Sequence, residues 1–484
     1  MLVLCILPLA VAFGSLFTLT IHGLHAGPTD LLVGALALLV FGRLLARYRP
    51  QIRGYFWGTL WQRDGLRAGL ADLRGWLARL WRREPQALSL FLALAAYLFV
   101  IALSFTVAAS HSSVIKEVLK WSEVIAAVAL TLIVARTERQ IRLLVWAMIV
   151  AGVAEALLGC AQWALSAGAL GPGGASIRVF GTFNQPNPYG GYLNFALPLA
   201  LALVLFGRDA RERWVAGAAS VILLMAQAFA NSRGAELGLV AAAVVIVVIG
   251  LHRERLAGLI ALIGAPLLAI AWFIHLIPRH LENVLLNQAR INGTTLDCAP
   301  NSGVNDANFS TVERLAHWVA GIRMFLAHPL LGVGAGNYNA AYSHYAIPCW
   351  PEPLGHAHNY YINAAAETGI LGLLTFLALV AATLILGWRA THPSSSQPSI
   401  FLSRHSRALA IGLFAVIVAL CIHNLTDDLF VHAMELQFAL CLGCLLTLAK
   451  PQTAPQTTQG TNLSTAAAAP ISSEEPTSQM RPVR

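Results

Sequence analysis

Apolar residues along this chain come in runs of about the length needed to cross a bilayer, ~17 to 25 residues each, separated by short polar connectors. The runs fall at 2–22, 30–47, 87–109, 114–134, 143–166, 188–206, 214–231, 234–251, 256–276, 359–388, 408–425 and 429–449. This pattern predicts an all-α fold, a polytopic transmembrane helical bundle of about 12 helices over residues 1–450. The first run lacks a basic leader and a small-residue cleavage site, and its neighbour follows at once, so it reads as a retained helix. Composition agrees. With 57% hydrophobic and 11% charged residues, the chain has too few polar side chains for the surface of a soluble globule.

Charge sets the orientation, because basic loops stay on the cytoplasmic side. Placing both termini there puts the basic clusters Arg43 to Arg83, Arg136 to Arg142, Arg208 to Arg213, Arg253 and Arg255, and Arg389 to Arg407 on that side as well. Lys116, Lys120, Arg178, Arg233, Arg279, Arg290, Arg314 and Arg323 fall on the opposite, extracytoplasmic face, against the rule. They call for another explanation. The net charge of +9 sits in loops flanking the membrane and forms no soluble basic face, which argues against nucleic acid as a partner. Segment 48–86 interleaves Trp57, Trp61, Trp76 and Trp81 with arginines, the composition of a helix lying in the cytoplasmic interface against lipid headgroups. The tail 451–484 has too little apolar surface to fold and reads as disordered.

One connector, 277–358, is too long for a turn, and loops of this length are either functional or disordered. Leu315, Val319, Ile322 and Leu326 recur at helical spacing within 311–327, which predicts an amphipathic helix, with a shorter one over 278–290. Cys298 and Cys349 are the two cysteines of this loop, whereas Cys5, Cys160, Cys421, Cys441 and Cys444 lie in apolar runs. Two readings stand: a disulfide that closes the loop on an oxidising face, or a pair of free thiols.

The loop ends in Gly355-His356-Ala357-His358-Asn359-Tyr360-Tyr361, at the mouth of an apolar run. Imidazoles exchange protons near neutral pH, so these histidines are either proton-transfer groups or interfacial anchors. Arg178, Arg233 and Arg314 are costly at membrane level unless an anion or carboxylate meets them. Arg233 has Glu236 one turn on, and Lys116, Lys120 and Glu123 share a helical face; either set can be self-neutralising. Converging on one cavity, the cations would suit a diphosphate, whose oxygens accept paired hydrogen bonds from guanidinium. Gly332 to Gly336 offers a second way to hold phosphate, through backbone N–H groups. Glu155, Gln162 and Glu367 lie within apolar runs and are expected to hydrogen-bond between helices. Asp427-Asp428, in a short turn, is expected to be solvated.

Several of these residues carry a resemblance. Arg178 with Gly181-Thr182-Phe183 and Pro186-Asn187, then Ser232-Arg233-Gly234, Arg314 four residues before Trp318, His328-Pro329-Leu330-Leu331-Gly332-Val333-Gly334, His356-Ala357-His358-Asn359 and Glu367-Thr368-Gly369-Ile370 follow one another in an order similar to the O-antigen ligase and polymerase superfamily. The resemblance implies a cell-membrane glycosyltransferase of polysaccharide or lipopolysaccharide biosynthesis. Its donor would be a polyprenyl-diphosphate-linked glycan such as an undecaprenyl diphosphate, and its site would lie on the extracytoplasmic face. It further implies that His358 acts in sugar transfer with Arg233 and Arg314 on the diphosphate. Arg178 and Asn187 would help shape the donor site, with His356 the second choice for the transfer step and otherwise a substrate-binding residue. Lys116 and Lys120 lie outside the matched stretch and are expected to bind substrate as further cations on this face. The family pattern is metal-independent and inverting, with no cofactor. The acceptor hydroxyl, on glycan, lipid or protein, is left open, so polymerase and protein O-oligosaccharyltransferase stand beside ligase. A transporter of the same lipid-linked sugar is the alternative from another class, although no internal repeat is visible.

Overall fold

The computed structural model describes residues 1–14, 19–21, 24–39, 42, 84–170, 177–250, 309–392 and 404–450. The interfacial segment 48–86 up to residue 83, the expected helices at 256–276 and 278–290, Cys298 and the tail 451–484 lie outside the described residues. Thirteen helices are described: α1 (Leu2–Phe13), α2 (Pro28–Leu39), α3 (Pro85–Leu103), α4 (His111–Val134), α5 (Glu138–Ala164), α6 (Pro186–Phe206), α7 (Ala210–Ala230), α8 (Arg233–Gly250), α9 (Phe309–Ala327), α10 (Tyr338–Tyr345), α11 (Tyr360–Thr391), α12 (Arg404–His423) and α13 (Met434–Ala449). Two small antiparallel pairs accompany them, β1 (Leu19–Ile21) with β2 (Leu24–Ala26) and β3 (Ala169–Leu170) with β4 (Ile177–Arg178).

Seven of the helical segments are long and apolar enough to span a bilayer. The expected count of twelve is therefore not reproduced among the described residues. α13 is short, and α4 carries Lys116, Glu117, Lys120 and Glu123 within its run. The first expected helix, 2–22, ends at Phe13, and within the same run residues 19–21 pair with 24–26 as β1 and β2. Helix 311–327 is found as α9.

α6 and α12 form the centre. In each, 78% of the most apolar window is buried inside the protein, against 33% in α8 and α11. α6 is surrounded by α5, α7, α8 and α12, and α13 packs on α4. Glycines permit this closeness. A Cβ on Gly191 would lie 2.4 Å from Leu429, and one on Gly238 would lie 2.7 Å from the Ala419 carbonyl oxygen. Both are below any ordinary contact. A helix apolar on all sides, as α6 is, belongs in such an interior.

The run after Asn359 reads from sequence as one helix, but it is two. Gly369 has φ 65° and ψ −162°, a backbone region essentially restricted to glycine. On a continuous helix residues 360 and 376 would be about 24 Å apart, yet the rings of Tyr360 and Phe376 are 4.8 Å apart. The first arm, residues 360–368, is thus folded back beside the second.

The motif His328 to Gly336 holds this fold. Val333 and Gly334 donate their N–H groups to the carbonyls of Ala366 and Glu367, and Ile370 donates to Pro329. The Glu367 carboxylate accepts from the N–H groups of Gly336 at 2.9 Å and Tyr338 at 3.0 Å. Gly332, at φ 64°, has no room for a side chain, since its Cβ would lie 2.3 Å from the Glu367 carbonyl carbon. The glycine-rich stretch therefore does not cradle phosphate. Gly332 and Ala335 donate to His328 O and Ser104 Oγ, so its amides are committed to the protein's own acceptors.

This geometry also sets the depth of the first arm. Glu84 pairs with Lys450 at 3.4 Å at one end of the bundle. Along α3, at 1.5 Å per residue, Tyr97 lies about 20 Å from that end and Ser104 about 30 Å. The Tyr97 and Tyr360 hydroxyls are 3.0 Å apart, while Ser104 meets Ala335. The start of the first arm is therefore recessed by ~10 Å below the far end of α3.

Candidate active site

Two chain reversals meet at the start of the recessed arm. Asn359 caps it, accepting from the N–H groups of Tyr361 and Ile362 at 3.0 and 3.1 Å. Its amide nitrogen donates to Leu425 O at 2.9 Å, and Tyr360 N–H donates to Asn424 O. The arm is thus stitched to the turn that follows α12. Asparagine and aspartate fold that turn by binding its backbone: Asn424 accepts from Leu429 N–H, Asp427 from Asp428 N–H, and Asp428 from Phe430 N–H.

Asp427 and Asp428 are 4% and 6% exposed, so the expectation that they are solvated is overturned. The turn is roofed by α9, α11 and the 354–359 loop, and Asp427 sits under the histidines. His358 Nδ1 is 3.3 Å from Asp427 Oδ1, and His356 Nε2 is 3.9 Å from the same oxygen. His358 itself is in the left-handed region at φ 49°. Its carbonyl accepts from Trp318 Nε1 at 3.3 Å, and its N–H donates to His356 Nδ1 at 3.1 Å. The left-handed turn thus points one imidazole nitrogen at Asp427. The other, Nε2, is buried and has no hydrogen-bond partner among the described residues.

Burial pushes the Asp427 carboxyl up, but the His358 hydrogen bond and the charges of His356, His358 and Arg314 outweigh it and hold it below the usual carboxylate range. His356 is lowered by burial against the opposing pull of Asp428 and Asp427. His317, on α9, stands edge-on to His358 with ring centroids 5.4 Å apart, and its Nδ1 meets the Tyr338 hydroxyl. Burial, then the His358 and His356 charges, lower it to about 4, so it is neutral at physiological pH.

The arginines approach from three other elements. Arg178, at the end of β4, donates to Ala230 O and to Asn187 Oδ1, both at 3.1 Å. Arg314 donates from α9 to Thr426 O at 3.2 Å, one residue before Asp427, and to Ser310 O. Arg233 opens α8, where Gly234 faces Thr426 and His423. Arg178 is lowered by burial and then by the charges of Arg314 and Arg233, with Glu236 and Asp427 opposing. The three cations therefore feel one another. Among the described residues none of them has a carboxylate within ion-pair distance. Arg233 and Glu236 interact across a distance but do not pair. Glu313 faces His358 and Arg314, its carboxyl raised by burial.

The structure thus brings together Arg178, Asn187, Arg233, Arg314, His356 and His358. It does not bring in the two lysines. Lys116 is exposed on α4, and Lys120 pairs with Glu117 at 2.7 Å. Cys349 is disulfide-bonded, and Cys298, its expected partner, lies outside the described residues. Glu155 and Gln162 bind the 177–187 connector, not a neighbouring helix: Glu155 accepts from Thr182, and Gln162 from Phe180 and Gly181. They anchor the connector two to four residues after Arg178.

His356, His358 and Asp427 offer ligand atoms within 4.8 Å of one another, close enough for a divalent ion. Their hydrogen bonds oppose it. A metal-bound histidine donates its other N–H to an acceptor, whereas His356 Nδ1 accepts one from His358. His356 therefore carries its proton on Nε2, the atom that faces Asp427. The arrangement instead matches a base oriented by a buried carboxylate, with the unpartnered nitrogen free to take a proton.

Sequence reasoning missed Asp427 and His317. Asp427 is 69 residues from His358; its one signal was an acidic pair between two apolar runs. No curated protein matches the chain. Residues 218–377, which run from α7 through the recessed arm, match the family model described as O-antigen ligase, so this part of the chain, which supplies Arg233, Arg314, His356 and His358, is similar to that family.

Proposed function

We propose that the protein is a ligase-type glycosyltransferase that moves a glycan from a polyprenyl diphosphate carrier to an acceptor hydroxyl on the extracytoplasmic side of the cell membrane. The observation that carries this reading is the pairing of His358 Nε2, backed by Asp427 and without a hydrogen-bond partner among the described residues, with three arginines that have no carboxylate partner among those residues. The acceptor oxygen bonds to the anomeric carbon as the bond from that carbon to the diphosphate oxygen breaks. His358 takes the acceptor's proton, and the leaving electron pair stays on the diphosphate. Fixed guanidinium groups offset that developing charge, the task a metal performs elsewhere. Because Asp427 is engaged beneath His358, it is not available to form a glycosyl-enzyme intermediate. A single displacement follows, with inversion.

The test is transfer by the purified protein from a lipid-linked glycan. Full rate is expected after chelation of divalent ions. His358→Ala should slow transfer by ~10²-fold or more, the usual scale for loss of such a base, with donor binding intact. Activity lost to chelator and restored by a divalent ion would replace the base with a metal centre.

A further inference from the structure

We propose that Lys120 is a positioning residue for the His358–Asp427 pair and does not grip the donor; this rests on the reading of His358 as the base. Lys120 Nζ lies 2.7 Å from Glu117 Oε1 and donates to Phe430 O at 3.3 Å. From there the turn runs back to the site through its own hydrogen bonds. Phe430 N–H donates to Asp428 Oδ1 at 2.8 Å, and Asp428 N–H donates to Asp427 Oδ1 at 2.9 Å. That last oxygen is the one that faces His358 Nδ1 at 3.3 Å. A displacement of the Phe430 carbonyl is therefore transmitted through two backbone links to the carboxylate that orients the base.

Charge points the same way. The groups facing Lys120 are Glu117 on its own helix, Asp428 in the turn, Glu435 on α13 and Glu367 on the recessed arm, with the Tyr97 hydroxyl beside them. Asp428, Glu435 and Glu367 are each less than a tenth exposed. Asp428 in turn faces His356 on its other side. Lys120, with His356, offsets the charge of a buried acidic group one residue away from Asp427. Removing it makes the potential at the histidines more negative, so they hold protons to higher pH and the base form is lost earlier on acidification.

The experiment uses the full chain in lipid nanodiscs, with a lipid-linked glycan as donor and farnesyl diphosphate as a competing probe of the donor site. Lys120→Met is expected to lower kcat ~10-fold or more at neutral pH and to move the acid limb of kcat up by ~1 pH unit. Donor KM and farnesyl diphosphate affinity should not change, and Lys120→Arg should restore the wild-type profile. Glu117→Gln removes a facing negative charge and should move the same limb down, which keeps the test open if Lys120→Met does not fold. A raised donor KM with weaker farnesyl diphosphate binding at unchanged kcat would overturn the proposal in favour of a donor contact. A lower melting temperature with an unmoved acid limb in both variants would overturn it in favour of a structural role alone. His358→Ala, run alongside, separates the two levels: if it keeps full rate, the base reading fails and the proposal with it. If it is inactive while the Lys120 and Glu117 variants leave the limb in place, Lys120 alone is wrong.

Discussion

Asp427→Asn tests the chemistry most finely, because it keeps the shape of the turn and removes one charge. In the wild type, Asp427 Oδ1 accepts from Asp428 N–H at 2.9 Å and faces His358 Nδ1 at 3.3 Å. The amide oxygen can still accept one of these bonds, so the turn should survive. What disappears is the negative charge beside the imidazolium formed when His358 takes the acceptor proton. At this separation and an effective dielectric of about 20, a unit charge contributes about 5 kcal/mol. If most of that is expressed in the transition state, kcat falls by ~10³-fold. Donor KM should hold, since Arg178 and Arg233 do not touch Asp427. The assay is steady-state transfer with varied donor. A kcat within a few-fold of wild type would refute the coupling of Asp427 to His358, and a rise in KM at constant kcat would reassign Asp427 to donor binding. The stability readout has a defined sign. The folded carboxyl is held below its ordinary value, so its contribution is present above the unfolded value of about 3.9 and is lost only as pH falls below it. The melting-temperature deficit of Asp427→Asn relative to wild type should therefore be present above about pH 5 and shrink as pH falls below about 3.9.

Three further outcomes follow from the geometry. Arg233→Lys and Arg314→Lys should each cut kcat/KM by ~10-fold or more, because ammonium cannot reproduce the two-pronged contact to a diphosphate; Arg323→Lys, outside the site and bonded to Tyr345 O, is the comparison. Gly332→Ala should lower the melting temperature and the yield of folded protein, since a left-handed alanine costs about 1–2 kcal/mol before its clash with the arm is counted. His317, lowered to about 4, binds protons less readily folded than unfolded, so stability should fall as pH drops from about 6.5 toward 4. His317→Gln should flatten that decline in a thermal-melt series.

What the sequence could reveal follows from the range of each interaction. Hydrophobic runs report helices because burial in lipid or bundle is a local demand, and α5 through α8 are found close to where the runs place them. The fold at Gly369 is not visible this way. Both arms of α11 are apolar, and the cause of the reversal is a glycine pressed against Leu330 and Leu331 some forty residues earlier. The arginines stood out in the sequence because charge at membrane level is costly enough to be rare, and His358 because imidazole exchanges protons near neutral pH. Asp427 did not, since an aspartate in a short turn is ordinarily solvated, and only the roof formed by α9 and the 354–359 loop buries it. Lys120 misled for the reverse reason. Two lysines in one helical run suggested an anionic ligand, while the acidic groups facing Lys120 include Asp428 and Glu435, from elements more than three hundred residues away.

The recessed, broken helix also occurs in transporters, where half-helices line a substrate path, so the central claim is that a bond is broken and remade. The direct measurement is product analysis after purified protein in detergent is incubated with a polyprenyl-diphosphate-linked glycan and an acceptor. The account predicts free polyprenyl diphosphate in equal amount to glycosylated acceptor, with the anomeric configuration inverted and no product from His358→Ala. Recovery of the lipid-linked glycan intact, together with its movement between leaflets when the protein is placed in vesicles, would contradict it.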